Sequence, residues 1–358
     1  MSLPHFIATT FFPQFGAISL MRIFRSTDAY EDIWRAPKEH LLSIGLKEKA
    51  VEQFISWRGD QDPQALYLQA TAHDTTVITC NHPEYPPLLA TIHDPPPVLF
   101  VRGKLGDIRQ SVAIVGSRSV TPDGRRATAL FAQACAQMGA PVVSGLAEGV
   151  DHLAHEETLK AGGRTIAVLA SGLDAMTGHE RRTLAARITE HGAIISELPA
   201  STPAAAFRFP IRNRLVAGMT RATVVIEAAL KSGSLITAKA ALEAGRDVYA
   251  VPGSIFNPNA SGTNALLKDG ALFATSAQDL FPASAEVATT LPPTPKPVLH
   301  LTDDEARIVE LLVSPKNSAD ICDALPMAPG KILALLTALT IRGVIFERNG
   351  VYHDREFS

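Results

Sequence analysis

The chain has 358 residues, of which 46% are hydrophobic and 19% are charged, and its formal net charge is −3. This composition allows a substantial buried core and excludes a broadly disordered chain, while the length favours two or three domains. The slightly acidic total excludes a protein that attracts nucleic acid with its whole surface. Any such affinity therefore requires a local basic patch.

Signals for export, membrane insertion and metal binding are sparse. The N-terminal residues lack the basic end, long apolar run and cleavage site of a secretory signal, and no apolar run reaches about 18 residues. We therefore expect a cytoplasmic protein without a membrane segment. Cys80, Cys135 and Cys322 are widely separated and form no CxxC pair, which favours reduced structural thiols and no metal site.

The first two regions of the chain differ in their apolar patterns. In residues 1–75, apolar residues recur at helical spacing, which predicts a small helical domain. In residues 76–282, helical stretches alternate with the apolar runs SVAIVGS, PVVSG, TIAVLA, AIISE, TVVIEA and DVYAVPG. Strands that are apolar along their whole length are buried on both faces. The alternation therefore predicts a doubly wound α/β domain around a parallel sheet.

The rest of the chain predicts a linker and a small third domain. Residues 283–298 are rich in Pro, Ala and Thr, which is typical of an extended linker. Residues 299–358 contain three helical patterns followed by VIFERNGVYH, which predicts a hairpin that turns at Asn349 and Gly350. Three helices and a hairpin in this order are typical of a winged-helix domain.

Small residues follow several predicted strands of the α/β region. Ligands of open parallel sheets bind outside the carboxyl ends of the strands, where small residues let backbone N–H groups approach an anion. Helix N-termini at the same edge favour negative charge. The alternative is that these residues only make tight turns. The candidate anion loops contain Gly116, Ser117, Ser144, Gly145, Ser232, Gly233 and Ser234.

A basic stretch with aromatic residues lies between Glu197 and Glu227, where no acidic residue occurs. It carries Arg208, Arg212, Arg214 and Arg221, with Phe207 and Phe209 interleaved in AFRFPIRNR. Arginine pairs with phosphate in a planar fork, and aromatic faces accept bases of any sequence. With Arg118, which follows Gly116 and Ser117, this stretch predicts a surface for single-stranded nucleic acid. The alternative is that these arginines pair with acids elsewhere and that the phenylalanines lie in the core.

Patterns for catalysis and cofactors are poor. The chain has no GxGxxG motif for a nicotinamide or flavin dinucleotide, no GxxxxGK[ST] motif for a nucleoside triphosphate and no HExxH motif for zinc. Binding of these cofactors is therefore weakly supported. Glu197 and Glu227 stand at strand ends, where a carboxylate can be a general base or a structural acceptor for backbone amides. The structural role is the favoured interpretation, and we expect no catalytic residue, metal or cofactor.

Six ordered stretches between about residues 85 and 280 carry a specific resemblance. They are SGLAEGVDHLAH, GRTIAVLASGLD, GAIISELP, FPIRNRLVAGMT, KSGSLITAKAALEAGRDVYAVPG and SGTNALLKDGA. In this order they resemble the signature stretches of the DprA/Smf DNA-processing family. The resemblance implies an extended Rossmann-like core that forms a homodimer and binds single-stranded DNA with little sequence preference. It also implies protection of incoming DNA and help in loading RecA recombinase during natural transformation, without known catalytic activity.

The family motifs fall on particular residues of this sequence. The GSR arginine falls on Arg118, the FPxRNR segment on Phe209, Pro210, Arg212, Asn213 and Arg214, and the SGS loop on residues 232–234. The flanking regions are similar to the family's sterile-alpha-motif-like, or helix-hairpin-helix-like, domain and its winged helix. One loop departs from the family, because GHERRTL replaces a YPxxN-like stretch. Arg181 or Arg182 could supply positive charge there.

Two other functions remain as alternatives. A phosphoribohydrolase-like, nucleotide-processing hydrolase has a similar core, but its PGGxGT loop is absent and SGSLIT occupies the comparable place. A sequence-specific regulator would read base edges with the helix APGKILALLTALTIRG. That helix has only Lys331 and Arg342 as basic residues and few polar groups for reading bases.

Overall fold

The computed structural model describes residues 3–26, 30–281, 301–312, 314–342, 344–348 and 350–354. The chain divides into two compact units, residues 1–285 and 286–358. The predicted linker at 283–298 lies outside the described residues, as does Asn349 of the predicted hairpin turn. No helix in the described ranges is long and apolar enough to cross a bilayer.

Six helices form the N-terminal part of the first unit, as the helical spacing predicts. The last of them begins after Asp62, whose side chain accepts a hydrogen bond from the Gln64 amide, with Pro63 at the first helical position. Aromatic side chains fill the space between these helices. The helices are α1 (Leu3–Thr9), α2 (Ala17–Ser26), α3 (Tyr30–Arg35), α4 (Lys38–Ser43), α5 (Glu48–Gly59) and α6 (Pro63–Ala70).

A nine-stranded sheet follows, in the order β1-β2-β6-β5-β4-β3-β7-β8-β9. Strands β3 to β9 are parallel to one another, which confirms the predicted parallel-dominated, Rossmann-like α/β fold. Strand β2 pairs antiparallel with both β1 and β6. The strands are β1 (Thr76–Thr79), β2 (Val98–Gly103), β3 (Val112–Val115), β4 (Val142–Ser144), β5 (Thr165–Val168), β6 (Ala193–Ser196), β7 (Ala222–Val225), β8 (Asp247–Ala250) and β9 (Leu272–Phe273).

Helices cover both faces of this sheet because its central strands are apolar on both sides. Two helices that contain Phe131 and Ala154 pack on one face, and two that contain Leu215 and Ala238 pack on the other. The helices are α7 (Pro122–Gln137), α8 (Val150–Lys160), α9 (His179–His191), α10 (Arg208–Gly218), α11 (Gly233–Glu243), α12 (Ser261–Lys268) and α13 (Ala277–Leu280). Chain order reverses between β3 and β7, which makes this the switch point of the sheet.

The N-terminal helices and the sheet share one hydrophobic cluster. It contains Phe6 and Phe54 from the helices, Phe100 from β2, Leu169 after β5 and Ile188 from α9. The predicted regions 1–75 and 76–282 therefore belong to one compact unit. The sequence pattern predicts a boundary between the two regions because the spacing of the apolar residues changes there. In the structure, however, buried side chains from both regions pack in the same cluster.

The described residues of the second unit, from 301 onward, form three helices and a three-stranded antiparallel sheet around their own apolar cluster. Thr302 caps the first helix by a reciprocal bond with Glu305, and Pro329 opens the third. The helices span Asp303–Leu311, Ser318–Ala324 and Pro329–Ile341, and the strands span Lys316–Asn317, Ile345–Arg348 and Val351–Asp354.

The shared cluster predicts that the helices and the sheet unfold together. Phe54 is fully buried and its ring contacts those of Phe12, Phe15, Trp34 and Trp57. Truncation in Phe54→Ala leaves a cavity and should lower the free energy of unfolding by about 3–5 kcal/mol. Chemical denaturation followed by tryptophan fluorescence and by far-ultraviolet circular dichroism should give coincident transitions for the first unit.

The matched control is Leu68→Ala in α6, because Leu68 is an exposed apolar residue of the same region. Its free energy of unfolding should change by no more than about 0.5 kcal/mol. A fluorescence transition that precedes the loss of helix signal would show that the N-terminal helices unfold independently of the sheet.

Candidate functional site

A cleft of about 410 Å³ opens at the carboxyl ends of β3, β4 and β7, beside the switch point of the sheet. This is where open α/β sheets bind their ligands. Its walls are parts of the segments 115–119, 145–151, 209–216 and 229–237, together with Asn259. Three charged basic residues, Arg118, Arg212 and Lys231, face one acidic residue, Asp151, so the lining has a positive balance.

Glycine is required where the loops of this cleft meet. A Cβ atom on Gly145 would lie 2.4 Å from a guanidinium nitrogen of Arg212. Gly149 has a φ of +86°, and a Cβ there would lie 2.3 Å from the carbonyl oxygen of Ser117. The predicted SG turn therefore packs against Arg212, and the GS turn packs against Gly149, the residue before α8. A glycine is needed at both contacts for steric reasons.

The N-terminus of α11 supplies a site that favours negative charge. The Ser232 hydroxyl accepts a hydrogen bond from the Ser234 amide at 3.3 Å and so caps the helix. Residues 232–234 all line the cleft, and the exposed Lys231 stands directly before them. Lys231 is not among the residues predicted from the sequence, although its place beside the SGS loop is the signal that could have identified it.

Arg118 and Phe209 form the exposed wall of the cleft. The Arg118 guanidinium lies 5.8 Å from the centre of the Phe209 ring, which is a cation–π arrangement. Phe209 is half-buried, and Arg118 is exposed and makes no ion pair in the part of the chain that the structure describes. A flexible cation beside an accessible ring can contact a phosphate and an adjacent base at the same time.

Arg212 forms the floor of the cleft and is only 4% exposed. Its Nη1 donates to the carbonyl oxygen of Gly145 at 2.6 Å and also to that of Val168, which ties α10 to the ends of β4 and β5. Burial lowers the pKa of Arg212 to about 10, so the group is still charged at neutral pH. Asp151 is the nearby carboxylate; burial raises the pKa of Asp151, and its Oδ2 accepts from the Gly145 amide at 3.1 Å.

Arg214 is paired with acidic residues, whereas the sequence predicted that it belongs to a free basic patch. Its Nη2 donates to Glu197 at 2.5 Å and its Nε lies 3.0 Å from Asp94, and Arg214 is not part of the cleft lining. The acids that neutralise it precede the acid-free stretch in sequence. Burial raises the pKa of the Glu197 carboxyl, and the charge of Arg214 opposes that rise.

The remaining predicted residues divide between the cleft and its support. Gly116, Ser117 and Asn213 line the cleft, and Asn213 Nδ2 donates to the carbonyl oxygen of Gly233 at 3.3 Å. Ser144 is buried beneath it and donates to the carbonyl oxygen of Ile114 at 2.7 Å. Arg208 lies outside the lining, where it donates to the carbonyl oxygen of Pro203. Arg118 and Arg212 thus line the cleft, whereas Arg208 and Arg214 do not.

The loop that departs from the family supplies one arginine next to the cleft. Arg181 Nε donates to the carbonyl oxygen of Leu146 at 3.0 Å, and Leu146 has a φ of +52°. Arg181 also lines a small adjoining pocket together with Gly145 and Phe209. Arg182 is exposed and lines a different cavity. Of the two candidates, Arg181 is the one beside the cleft.

Glu227, one of the two carboxylates considered as a general base, is hydrogen-bonded within the protein. Both oxygens of Glu227 accept hydrogen bonds from Thr121, one from its amide at 3.0 Å and one from its hydroxyl at 2.5 Å. Thr121 in turn caps α7 by accepting from the Gly124 amide. Among the described residues, no group of three or more His, Cys, Asp or Glu side chains is placed to hold a metal ion.

Comparison with known proteins assigns the family. The model of the DNA recombination-mediator protein A family matches residues 76–284. This chain belongs to that family. It is 37% identical to protein Smf of Escherichia coli strain K12 over 255 residues, covering 69% of this chain and 68% of the relative. It is 40% identical to the DNA processing protein DprA of Bacillus subtilis over 200 residues, covering 55% and 67%.

Solved structures agree with this assignment of the DprA fold. The DprA of Streptococcus pneumoniae superposes with a TM-score of 0.70 and 30% identity, covering 79% of this chain and 98% of the other. A Helicobacter pylori DprA structure that concerns its single-stranded DNA binding mode gives a TM-score of 0.54 and 28% identity, covering 61% and 99%. The predicted resemblance of this sequence to the DprA/Smf family is confirmed.

Removal of Arg214 should expose its structural role. Arg214→Ala leaves Glu197, whose side chain is only 12% exposed, without its counter-ion and should cost up to about 3–5 kcal/mol of unfolding free energy at neutral pH. The folded-state pKa of Glu197 then lies above its unfolded value, so the variant regains stability as pH falls through the folded-state pKa. Urea denaturation at about pH 7.5 and about pH 5 measures the difference, which should shrink at the lower pH.

The control for this charge deletion is Arg126→Ala, because Arg126 forms an exposed pair with Asp123. Its effect should be no more than about 1 kcal/mol. Equal losses in the two variants, or an Arg214→Ala deficit that does not change with pH, would contradict the structural role of Arg214.

Proposed function

We propose that the cleft beside the switch point binds single-stranded DNA without chemical turnover. The observation that carries the proposal is the convergence of Arg118, Arg212, Lys231 and Phe209 on the capped N-terminus of α11. Phosphate is favoured by the basic side chains and by the helix end, and a base is favoured by the ring. Membership of a family of DNA recombination mediators supports the same substrate.

A single strand fits this arrangement better than a duplex. The Phe209 ring is half-buried in a concave cleft, so only an unstacked base can reach its face. Backbone contacts and stacking select no particular sequence, which matches the low sequence preference that the family resemblance implies. The related Helicobacter pylori protein binds single-stranded DNA, and this supports transferring the ligand class to the present chain.

The hydrolase alternative has less support from the geometry. Hydrolysis needs a carboxylate or another base free to activate water near the bound anion. Glu227 has both oxygens on Thr121 and Glu197 is paired with Arg214. Asp151 lines the cleft, but it is buried and its Oδ2 accepts a hydrogen bond from the Gly145 amide. Each of these three carboxylates is engaged in holding loops or helices together.

We propose further that the α/β core forms a homodimer through the β9 edge of the sheet. The β9 strand has one neighbour, β8, and presents Leu272 and Phe273 as exposed residues. Ile255 and Phe256, between β8 and α12, are also strongly exposed. An exposed apolar edge strand is a surface that proteins normally cover, and a second copy of the chain would cover it symmetrically.

The roles of the flanking regions follow from the family resemblance. We propose that residues 1–75 form a sterile-alpha-motif-like domain and that residues 299–358 form a winged-helix domain. The three helices and antiparallel sheet of the second unit support the latter. We also propose that the bound strand is protected and then transferred to RecA recombinase in the cytoplasm during natural transformation.

Substitutions in the cleft separate phosphate contacts from stacking. Arg118→Ala should weaken oligo-dT binding about tenfold and reduce the slope of log affinity against log salt by roughly one unit or less. Phe209→Ala should cost about 1–3 kcal/mol and leave the salt slope nearly unchanged. Fluorescence anisotropy with labelled oligonucleotides over a range of salt concentrations measures both effects.

Arg126→Ala serves again as the control, because it removes an exposed arginine away from the cleft lining. It should leave affinity and salt slope close to those of the wild type. If Arg118→Ala combined with Lys231→Ala stays folded and binds oligo-dT as well as the wild type does, the proposed DNA site is in the wrong place.

The dimer proposal is tested by placing a charge on the sheet edge. Phe273→Asp buries a carboxylate in the proposed interface, so this variant should sediment as a monomer at micromolar concentration while the wild type sediments as a dimer. Leu242→Asp is the control, since Leu242 is also exposed but lies at the end of α11. A wild-type monomer, or a Phe273→Asp dimer of unchanged stability, would contradict an interface at β9.

A further inference from the structure

A second depression of about 420 Å³ lies between the N-terminal helices and the sheet. One wall is the segment 10–20, which comprises the connection between α1 and α2 and the first turn of α2. The other walls are residues 94–98, residues 197–202 and the outer side of α10. We refer to this depression as the α10 groove. It is largely apolar, with Phe12, Phe15 and Leu20 buried in its wall.

The α10 groove is continuous with the DNA cleft. Arg212 lines both of them. A small pocket between them shares Gly145 and Phe209 with the cleft, and shares Leu169 and Ala170 with the groove. A flexible ligand that leaves the cleft around the first turn of α10 therefore enters the groove without crossing another element of the described structure.

The first turn of α10 presents one aromatic ring to each depression. Phe209 lines the cleft and Phe207 lines the groove. Two residues apart on a helix differ by about 200° around the axis, so the two rings are directed to opposite sides of the turn. Phe207 is 64% exposed and Ile211, which also lines the groove, is 47% exposed, so the groove carries an adjoining pair of exposed apolar side chains.

Charge in the α10 groove also fits a nucleic acid. Arg208 stands next to Phe207, with its guanidinium 5.2 Å from the ring centre, and is half-buried at the groove. The two acidic residues of the lining, Asp94 and Glu197, are both neutralised by Arg214. The groove thus combines an exposed ring and an arginine with carboxylates that are already paired.

We propose that the α10 groove is a second nucleotide subsite, in which a base of the same strand stacks on Phe207 while Arg208 contacts the backbone phosphate. This proposal rests on the proposed function of the cleft. It gives the N-terminal helices a part in DNA binding, because the segment 10–20 forms one wall of the subsite. The strand turns around α10, between Phe209 and Phe207.

Oligonucleotide length distinguishes the subsite from the cleft. An oligo-dT of about 4 nucleotides occupies the cleft alone, and one of about 12 nucleotides is long enough to reach the groove as well. Phe207→Ala should weaken binding of the longer oligonucleotide about 5- to 100-fold, the loss of one stacked base, and leave the shorter one unchanged. Arg208→Ala should weaken only the longer oligonucleotide and lower its salt slope.

Two further variants test whether a loss of affinity comes from the missing ring or from damage to the fold. Phe207→Trp keeps a stacking surface and should retain the affinity for the longer oligonucleotide, with indole fluorescence quenched only by that length. Leu242→Ala removes a similarly exposed apolar side chain away from the groove lining and should change neither affinity. Circular dichroism and urea denaturation verify that each variant is folded.

The possible outcomes separate this proposal from that for the cleft. If Phe207→Ala changes neither affinity, or lowers both equally, the subsite is refuted, whereas the cleft proposal stands as long as Arg118→Ala weakens both lengths. If Arg118→Ala changes neither length, the cleft proposal fails and a groove that continues from the cleft fails with it. Loss restricted to the longer oligonucleotide, with rescue by Phe207→Trp, supports the subsite.

Discussion

The burial of Arg212 is the interaction on which the candidate site depends. One guanidinium joins α10 to the carbonyl groups at the ends of β4 and β5, and it does so beside a glycine whose hydrogen leaves just enough room. A charged group this deeply buried is tolerated because several oxygen acceptors and the nearby Asp151 surround it. The cost of removing any of these partners keeps the loops of the cleft in one arrangement.

The position of α10 then decides what the surface can bind. Its first turn stands between the cleft and the α10 groove, with Phe209 on one side and Phe207 on the other. Arg214, one turn further along, pairs with Glu197 and Asp94 and so attaches the helix to the segments before it. The helix is therefore held by the buried Arg212 and the half-buried Arg214, and its exposed residues are free to contact a ligand.

The same motif thus contains residues of different kinds. In FPIRNR, Phe209 and Asn213 line the cleft, Arg212 supports it from below, and Arg214 has no part in its lining. Sequence spacing shows that the two arginines of this motif are close along the chain, but it does not show which acids from distant segments reach them. Asp94 lies far from Arg214 in sequence, and the tertiary fold brings it near by packing the segment before β2 against α10.

The sequence alone determined the parallel α/β core, because six short apolar runs separated by helical patterns leave few other ways to bury both strand faces. It also determined the family and the small residues at the strand ends, since both depend on motifs that are contiguous along the chain. Only the tertiary structure decided which basic residues stay free, that Lys231 joins the cleft, and that the N-terminal helices share the core of the sheet. These properties depend on burial and on partners far away in sequence, and neither can be read from the spacing of residues along one chain.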